Sequence, residues 1–282
     1  MKFKPLLIPL AVAGCAGLAA ESAFAGPSGY PVQAAPPTNS FMIRIGAAYV
    51  EPDSKAYSGV QSFVVDDPST GTEDNPVVEN VPVDVGTRLD LDNDTTWYIS
   101  FAWKPMQHFG LELYHYDNAS HDATMYSSAA TDTDFIGEFS QDLGSIDTDT
   151  TSILANWYPL GPNCLIQPYV GLGVAYLNVD EDWLRPVFGY DQGRRQGLID
   201  FGSDLSWTAQ IGVDFNFGID SAWQINASAM YVDATPHLSL GYDTDTRPPG
   251  FGDSVILPVR IRDDMDVNPW MFNLGIGYKF SF

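Results

Sequence analysis

The stretch WMFNLGIGYKFSF at residues 270–282 decides the fold. Trp270, Phe272, Leu274, Ile276, Tyr278, Phe280 and Phe282 fall on one face, opposite Met271, Asn273, Gly275, Gly277, Lys279 and Ser281. A period of two is the signature of a strand with one apolar face. Three further segments repeat it clearly: TTWYISFAWK at 95–104, SWTAQIGVDFNF at 206–217 and WQINASAMY at 223–231. Weaker versions at 41–50, 109–116, 149–158 and 166–178 bring the number of expected strands to eight, an even number.

Alternation alone also fits a soluble sandwich, which would turn aliphatic residues inward and charges outward. Here the polar face is mostly small or uncharged, and the apolar face ends in Trp, Tyr or Phe at both extremities. That is the pattern of a barrel whose outside meets lipid and whose rims lie at the headgroups. Tilted strands of about ten residues match the bilayer thickness. Connections alternate in length: short at Pro105–His108, Pro159–Leu165 and Gly218–Ala222, long at 51–94, 117–148, 179–205 and 232–268. The fold expected is all-β: an eight-stranded antiparallel transmembrane β-barrel with long extracellular loops and short periplasmic turns. The alternating patches at 236–242 and 255–262 suggest strands prolonged beyond the membrane as a hairpin.

Composition agrees. The 282 residues carry 13 Lys+Arg against 36 Asp+Glu, a net charge of -23, which argues against nucleic-acid binding. With 45% hydrophobic and 17% charged residues, the chain is no disordered acidic tail. Lys2, Lys4 and the apolar stretch at 5–20 read as an export signal, with Ala23-Phe24-Ala25 before a cleavage site at Gly26. The divisions expected are a signal peptide at 1–25, a Pro-rich linker at 26–40 and the barrel at 41–282. Val12-Ala13-Gly14-Cys15 also reads as a lipoprotein site, which the better site downstream outcompetes. Cys164, in a short turn, reads as inert.

An eight-stranded barrel encloses room for side chains or one small ligand, so a wide aqueous pore is not expected. The alternation turns the charged residues Arg44, Lys104, Glu112, Asp214 and Lys279 into the lumen, where pairing is the expected arrangement. It also turns Tyr98, Tyr114, Leu154, Tyr158, Tyr169 and Met230 inward, enough apolar surface to hold an alkyl chain or a small ring. His115, His121 and His237 are expected as solvated residues at or beyond the outer rim. Ser120 and Asp122 beside one of them do not make a nucleophilic site. Asp90, Asp92 and Asp94 have the spacing that opens a calcium loop, but Thr95 stands where its glycine belongs and Phe101 where its glutamate belongs. No catalytic, cofactor-binding or metal-binding residue is expected.

The ordered segments TTWYISFAWKPMQHFGLELY at 95–114, QPYVGLGVAY at 167–176, SWTAQIGVDF at 206–215 and PWMFNLGIGYKF at 269–280 together resemble the OmpW/AlkL family of outer-membrane proteins. The resemblance covers about 41–282, with loops that match poorly and a first loop that is longer and more acidic. It implies an eight-stranded barrel in the outer membrane of a Gram-negative-type cell, with a hydrophobic groove or lumen and passive uptake of small hydrophobic molecules. Expected partners are outer-membrane lipid, lipopolysaccharide bridged through divalent ions, and the barrel-assembly machinery acting on Phe282. The rival readings are a structural or loop-presenting envelope barrel and, behind it, a lipid-modifying enzyme.

Overall fold

The computed structural model describes residues 39–67, 71–72, 75–76, 79–160, 164–184, 198–217, 222–248, 251 and 253–282. The expected export signal, the lipoprotein alternative at Cys15 and all but the end of the linker lie outside the described residues. In chain order the strands are β1 Ser40–Glu51, β2 Tyr57–Asp67, β3 Gly71–Thr72, β4 Asn75–Pro76 and β5 Glu79–Leu91. They continue with β6 Asp94–Lys104, β7 Phe109–Ala130, β8 Phe135–Trp157, β9 Ile166–Leu184 and β10 Leu198–Phe201. The last five are β11 Asp204–Phe217, β12 Trp223–Val232, β13 His237–Thr246, β14 Val255–Asp264 and β15 Trp270–Ser281. The described residues contain no helix.

Eight of these strands close a ring in the order β1-β6-β7-β8-β9-β11-β12-β15, with β15 returning to β1, every pair antiparallel. These are the eight segments expected from the alternation. Closure leaves no free edge, so each strand's backbone groups are satisfied by neighbours, as hydrocarbon requires. The outward face is apolar and open: Leu172, Ile211 and Leu274 are 68%, 62% and 62% exposed. Exposure of that size across a continuous wall is a lipid interface.

Aromatic side chains bound this wall on both sides. Trp103, Trp157, Trp223 and Phe280 stand at the turn end, where Trp223 meets Tyr278 edge-on at 5.1 Å between centroids. Trp97, Trp207, Tyr231 and Trp270 stand at the other, Tyr231 lying 5.6 Å from Trp207 and 5.2 Å from Trp270. Trp207 Nε1 also donates to Asp233 Oδ2 at 2.7 Å, an apolar ring with its polar edge at the headgroup level.

Beyond the outer aromatic ring the protein builds more sheet than the expected loops at 51–94, 117–148 and 232–268 allowed. β7 and β8 run on as one long hairpin, bulged between Tyr116 and Ala119 and again between Ala123 and Thr124. Where β6 leaves β7 at the Tyr98–Tyr116 pair, β5 takes its place from Leu91–Ala123 onward, with β2 paired outside it. The physical reason is visible in β5. Val83, Val85, Leu89 and Leu91 are buried on one face, while Asp84 lies on the solvated face. The period of two therefore continues, with charge replacing lipid-facing aromatics. The patches at 236–242 and 255–262 do pair with each other, but they form a separate sheet with β10 instead of prolonging β12 and β15.

Leu274 and Val64 are both exposed and apolar, but one faces lipid and the other water. Leu274→Arg is expected to cost about 2–4 kcal/mol in denaturant-titrated refolding into vesicles. Val64→Arg stays within about 0.5 kcal/mol of wild type. Equal costs at both positions would place the membrane boundary wrongly.

Candidate functional site

The interior of the ring is filled by a polar network centred on Arg44, whose side chain has no solvent exposure. β1 delivers Arg44, β7 delivers Glu112 and β11 delivers Asp214. Arg44 Nη1 donates to Glu112 Oε1 and Arg44 Nη2 to Asp214 Oδ2, each at 2.8 Å. The remaining carboxylate oxygens are occupied as well. Glu112 Oε2 accepts from Asn156 Nδ2 at 2.6 Å and Gln210 Nε2 at 3.0 Å, and Asp214 Oδ1 accepts from Asn226 Nδ2 at 2.8 Å. A guanidinium suits this position because its planar fork addresses two carboxylates at once.

Tyrosines pack around this core. Tyr98 and Tyr114 stack at 5.3 Å, and the Tyr114 hydroxyl donates to Asn273 Oδ1 at 2.7 Å. Tyr158 and Tyr169 lie 5.3 Å apart, and the Arg44 guanidinium sits 5.6 Å from the Tyr169 ring centre. Inward glycines make the room. A Cβ on Gly212 would strike the Tyr169 ring, and one on Gly277 would come within 2.9 Å of Arg44 Cγ.

Of the eleven lumen candidates, Arg44, Tyr98, Lys104, Glu112, Tyr114, Leu154, Tyr158, Tyr169, Asp214 and Met230 are buried inside the ring. Lys279 is half-buried near the turn end. Lys104 rests 3.9 Å from the Tyr158 ring centre with its amine 3.4 Å from Gln167 Oε1. Leu154, opposite Glu112, and Met230 are apolar neighbours of this network. They join the apolar cluster that continues outward through Tyr116, Val232, Val267 and Met271.

The residues to which the sequence assigns no role are the amides Asn156, Gln210, Gln224, Asn226 and Asn273. Alternation puts all five on the inward face. The role of Asn156, Gln210, Asn226 and Asn273 becomes visible only when the ring closes and brings distant strands to hydrogen-bond distance.

One expectation is overturned. His121 is fully buried, not a solvated loop residue, because β7 continues through it on the inward side. Its Nδ1 donates to the Asp92 carbonyl at 2.7 Å and its Nε2 accepts from Thr148 Oγ1 at 3.0 Å. Burial pushes its pKa below the ordinary histidine value, so it is held neutral. His115 is half-buried beside Thr151, and His237 is exposed. The Asp90–Asp94 run is engaged locally: Asp94 Oδ2 accepts the Ser120 backbone N–H at 2.8 Å, and Asp90 pairs with Arg88. Among the described residues no cluster of three or more His, Cys, Asp or Glu has metal-binding geometry.

Comparison with known proteins gives one consistent result. The profile of the OmpW family matches residues 39–280. Outer membrane protein W of Salmonella typhi is 26% identical over 197 residues, covering 68% of this chain and 76% of that protein. The Escherichia coli protein of the same name is 27% identical over 143 residues, 49% of this chain and 57% of that one. The crystal structure of the outer membrane protein OprG from Pseudomonas aeruginosa superposes with a TM-score of 0.57 at 21% identity. That match covers 87% of this chain and 98% of the other, and it shows the shared fold.

The network makes a stability prediction. Arg44→Met leaves two buried carboxylates without a cation and is expected to cost about 3–5 kcal/mol in denaturant unfolding. Adding Glu112→Gln and Asp214→Asn to it recovers most of the loss, because the uncompensated charges are gone. A triple variant as unstable as the single one would show that packing, not charge, holds the interior.

Proposed function

The chain belongs to the OmpW family of Gram-negative outer-membrane barrels, and from that premise we propose that it is a passive entry route for small hydrophobic molecules. The observation that carries the reading is the division of the lumen. Its outer half holds an apolar cluster that includes Val50, Tyr116, Met230, Val232, Val267 and Met271, with the buried hydroxyls of Thr150 and Thr208 beside it. Its middle is filled by the Arg44–Glu112–Asp214 network.

A hydrocarbon entering the outer half gains about 25 cal/mol for each Å² removed from water. Going further towards the periplasm would mean breaking buried ion pairs, which an apolar molecule cannot replace. Lipid on the other side of the wall is an equally apolar sink, so release sideways into the bilayer costs little. A sugar or amino acid gains nothing at the apolar stage, and the reading gives it no route.

Residues 41–282 act as one transporting unit in this reading, with no catalytic step. The acidic outer surface would meet lipopolysaccharide through divalent ions. The C-terminal Phe282, exposed at the turn end, would be the handle for barrel assembly. A purely structural envelope barrel is the alternative, and the complete burial of Arg44, Leu154 and Met230 is the observation that favours it.

Cells lacking the protein are expected to take up small alkanes or aromatics more slowly, with sugars and amino acids entering at unchanged rates. Met230→Trp fills the outer lumen without adding charge and reproduces the defect in protein that keeps the heat-modifiable band of a folded barrel on gels. Normal apolar uptake in the deletion strain, together with a leaky envelope, would hand the case to the structural alternative.

A further inference from the structure

The charges facing the lumen of the ring do not balance. Arg44, Lys104 and Lys279 supply three cations, and Glu112 and Asp214 supply two carboxylates. Both carboxylates are committed to Arg44 and to amides, through contacts of 2.6–3.0 Å. Neither lysine forms a salt bridge among the described residues.

Lys104 is only 4% exposed, and its amine has a ring face at 3.9 Å and a long amide contact at 3.4 Å as its partners. A buried ammonium normally has an anion beside it. Among the described residues no carboxylate stands within salt-bridge distance of this one, in a protein whose net charge is -23.

Register brings the two lysines to the same end. Lys104 stands opposite Ser40 and Lys279 opposite Met42, so β6 and β15 deliver them from either side of β1. Lys279 is partly exposed two residues before the end of β15, which opens this floor to the periplasm.

A second, independent feature borders the same place. Gln224 lies on β12 opposite Gly277, one inward position above Lys279, and is wholly buried. Neither its Nε2 nor its Oε1 has a hydrogen-bond partner among the described residues. Its amide nitrogen lies 2.9 Å from where a Gly277 side chain would begin. Buried amides are rarely left with both ends unmade, since each orphaned group costs about 1–3 kcal/mol.

We infer that the periplasmic floor of the barrel is a binding site for one small oxyanion, a carboxylate or a phosphate, held between Lys104 and Lys279 with the Gln224 amide as a further donor. The ligand enters from the periplasm, restores charge balance below the Arg44 network and gives Lys104 an anionic partner. This site is separate from the apolar outer half and does not depend on what that half carries.

The chain's lysines are Lys2, Lys4, Lys55, Lys104 and Lys279, which makes the test direct. Lysines are dimethylated with ¹³C in the urea-unfolded chain, which is then refolded into micelles and titrated at constant ionic strength. Inorganic phosphate and acetate are used in separate arms, to tell which oxyanion the site takes. The Lys104 and Lys279 signals are expected to move together and saturably, while Lys55 on the opposite side stays still. Lys279→Met should weaken the response of Lys104 about tenfold or more, the factor that 1.4 kcal/mol represents. The wild-type titration decides the matter even where that variant refolds poorly. Shifts that are unsaturable with both anions, or equal at Lys55, would overturn the proposal.

Discussion

Inside a bilayer a backbone amide has no water to turn to, and each unpaired group costs several kcal/mol. The rest of this structure follows from that constraint. It forces the sheet to close, and closing at eight strands sets a lumen wide enough for side chains and little else. A space that narrow has to be filled, so inward residues from strands far apart in sequence become neighbours. Arg44 and Asp214 are 170 residues apart and meet at 2.8 Å. The same closure turns every second residue to lipid, which is why Leu172 and Leu274 are comfortable where a soluble protein would bury them.

Filling the lumen with charge sets a second condition. Ions removed from water need close partners on nearly every lone pair and proton, or their desolvation cost dominates. Glu112 meets that condition with Arg44, Asn156 and Gln210, and Asp214 with Arg44 and Asn226. The result is a rigid crossbar tying β1 to β7 and β11, through residues that also reach β8 and β12. Such a network suits a floor that stops water. The apolar cluster above it, with flexible Met230 and Met271 at its base, suits a compartment that can yield.

The ring itself was legible in the sequence. Alternation in 95–104, 206–217 and 270–282 identified the strands and their lipid face, and the aromatic ends marked the membrane's limits. The outer sheet was less legible, for a physical reason. In β5 and in the far half of β7 the period of two persists, but Asp84 and Asp122 replace Trp and Leu on the outward face. A reading tuned to lipid-facing residues stops there and names the remainder loop. His121 was misread on that account. Arg44 and Glu112 could be assigned inward by parity, whereas their partnership could not, since it depends on strand order and stagger. The amides that complete it carry no local signal beyond their position on the inward face.

In the proposed function the Arg44 network seals the lumen at mid-depth, and the wall, not the floor, is the way out for solute. Ion conductance of the purified protein in planar lipid bilayers tests this most directly. The sealed network predicts a membrane current at the level of the protein-free bilayer in concentrated KCl. Arg44→Ala opens the floor and is predicted to raise it. A steady current through the wild-type barrel, proportional to salt concentration, would mean that a water column passes the network and that the lumen is not sealed.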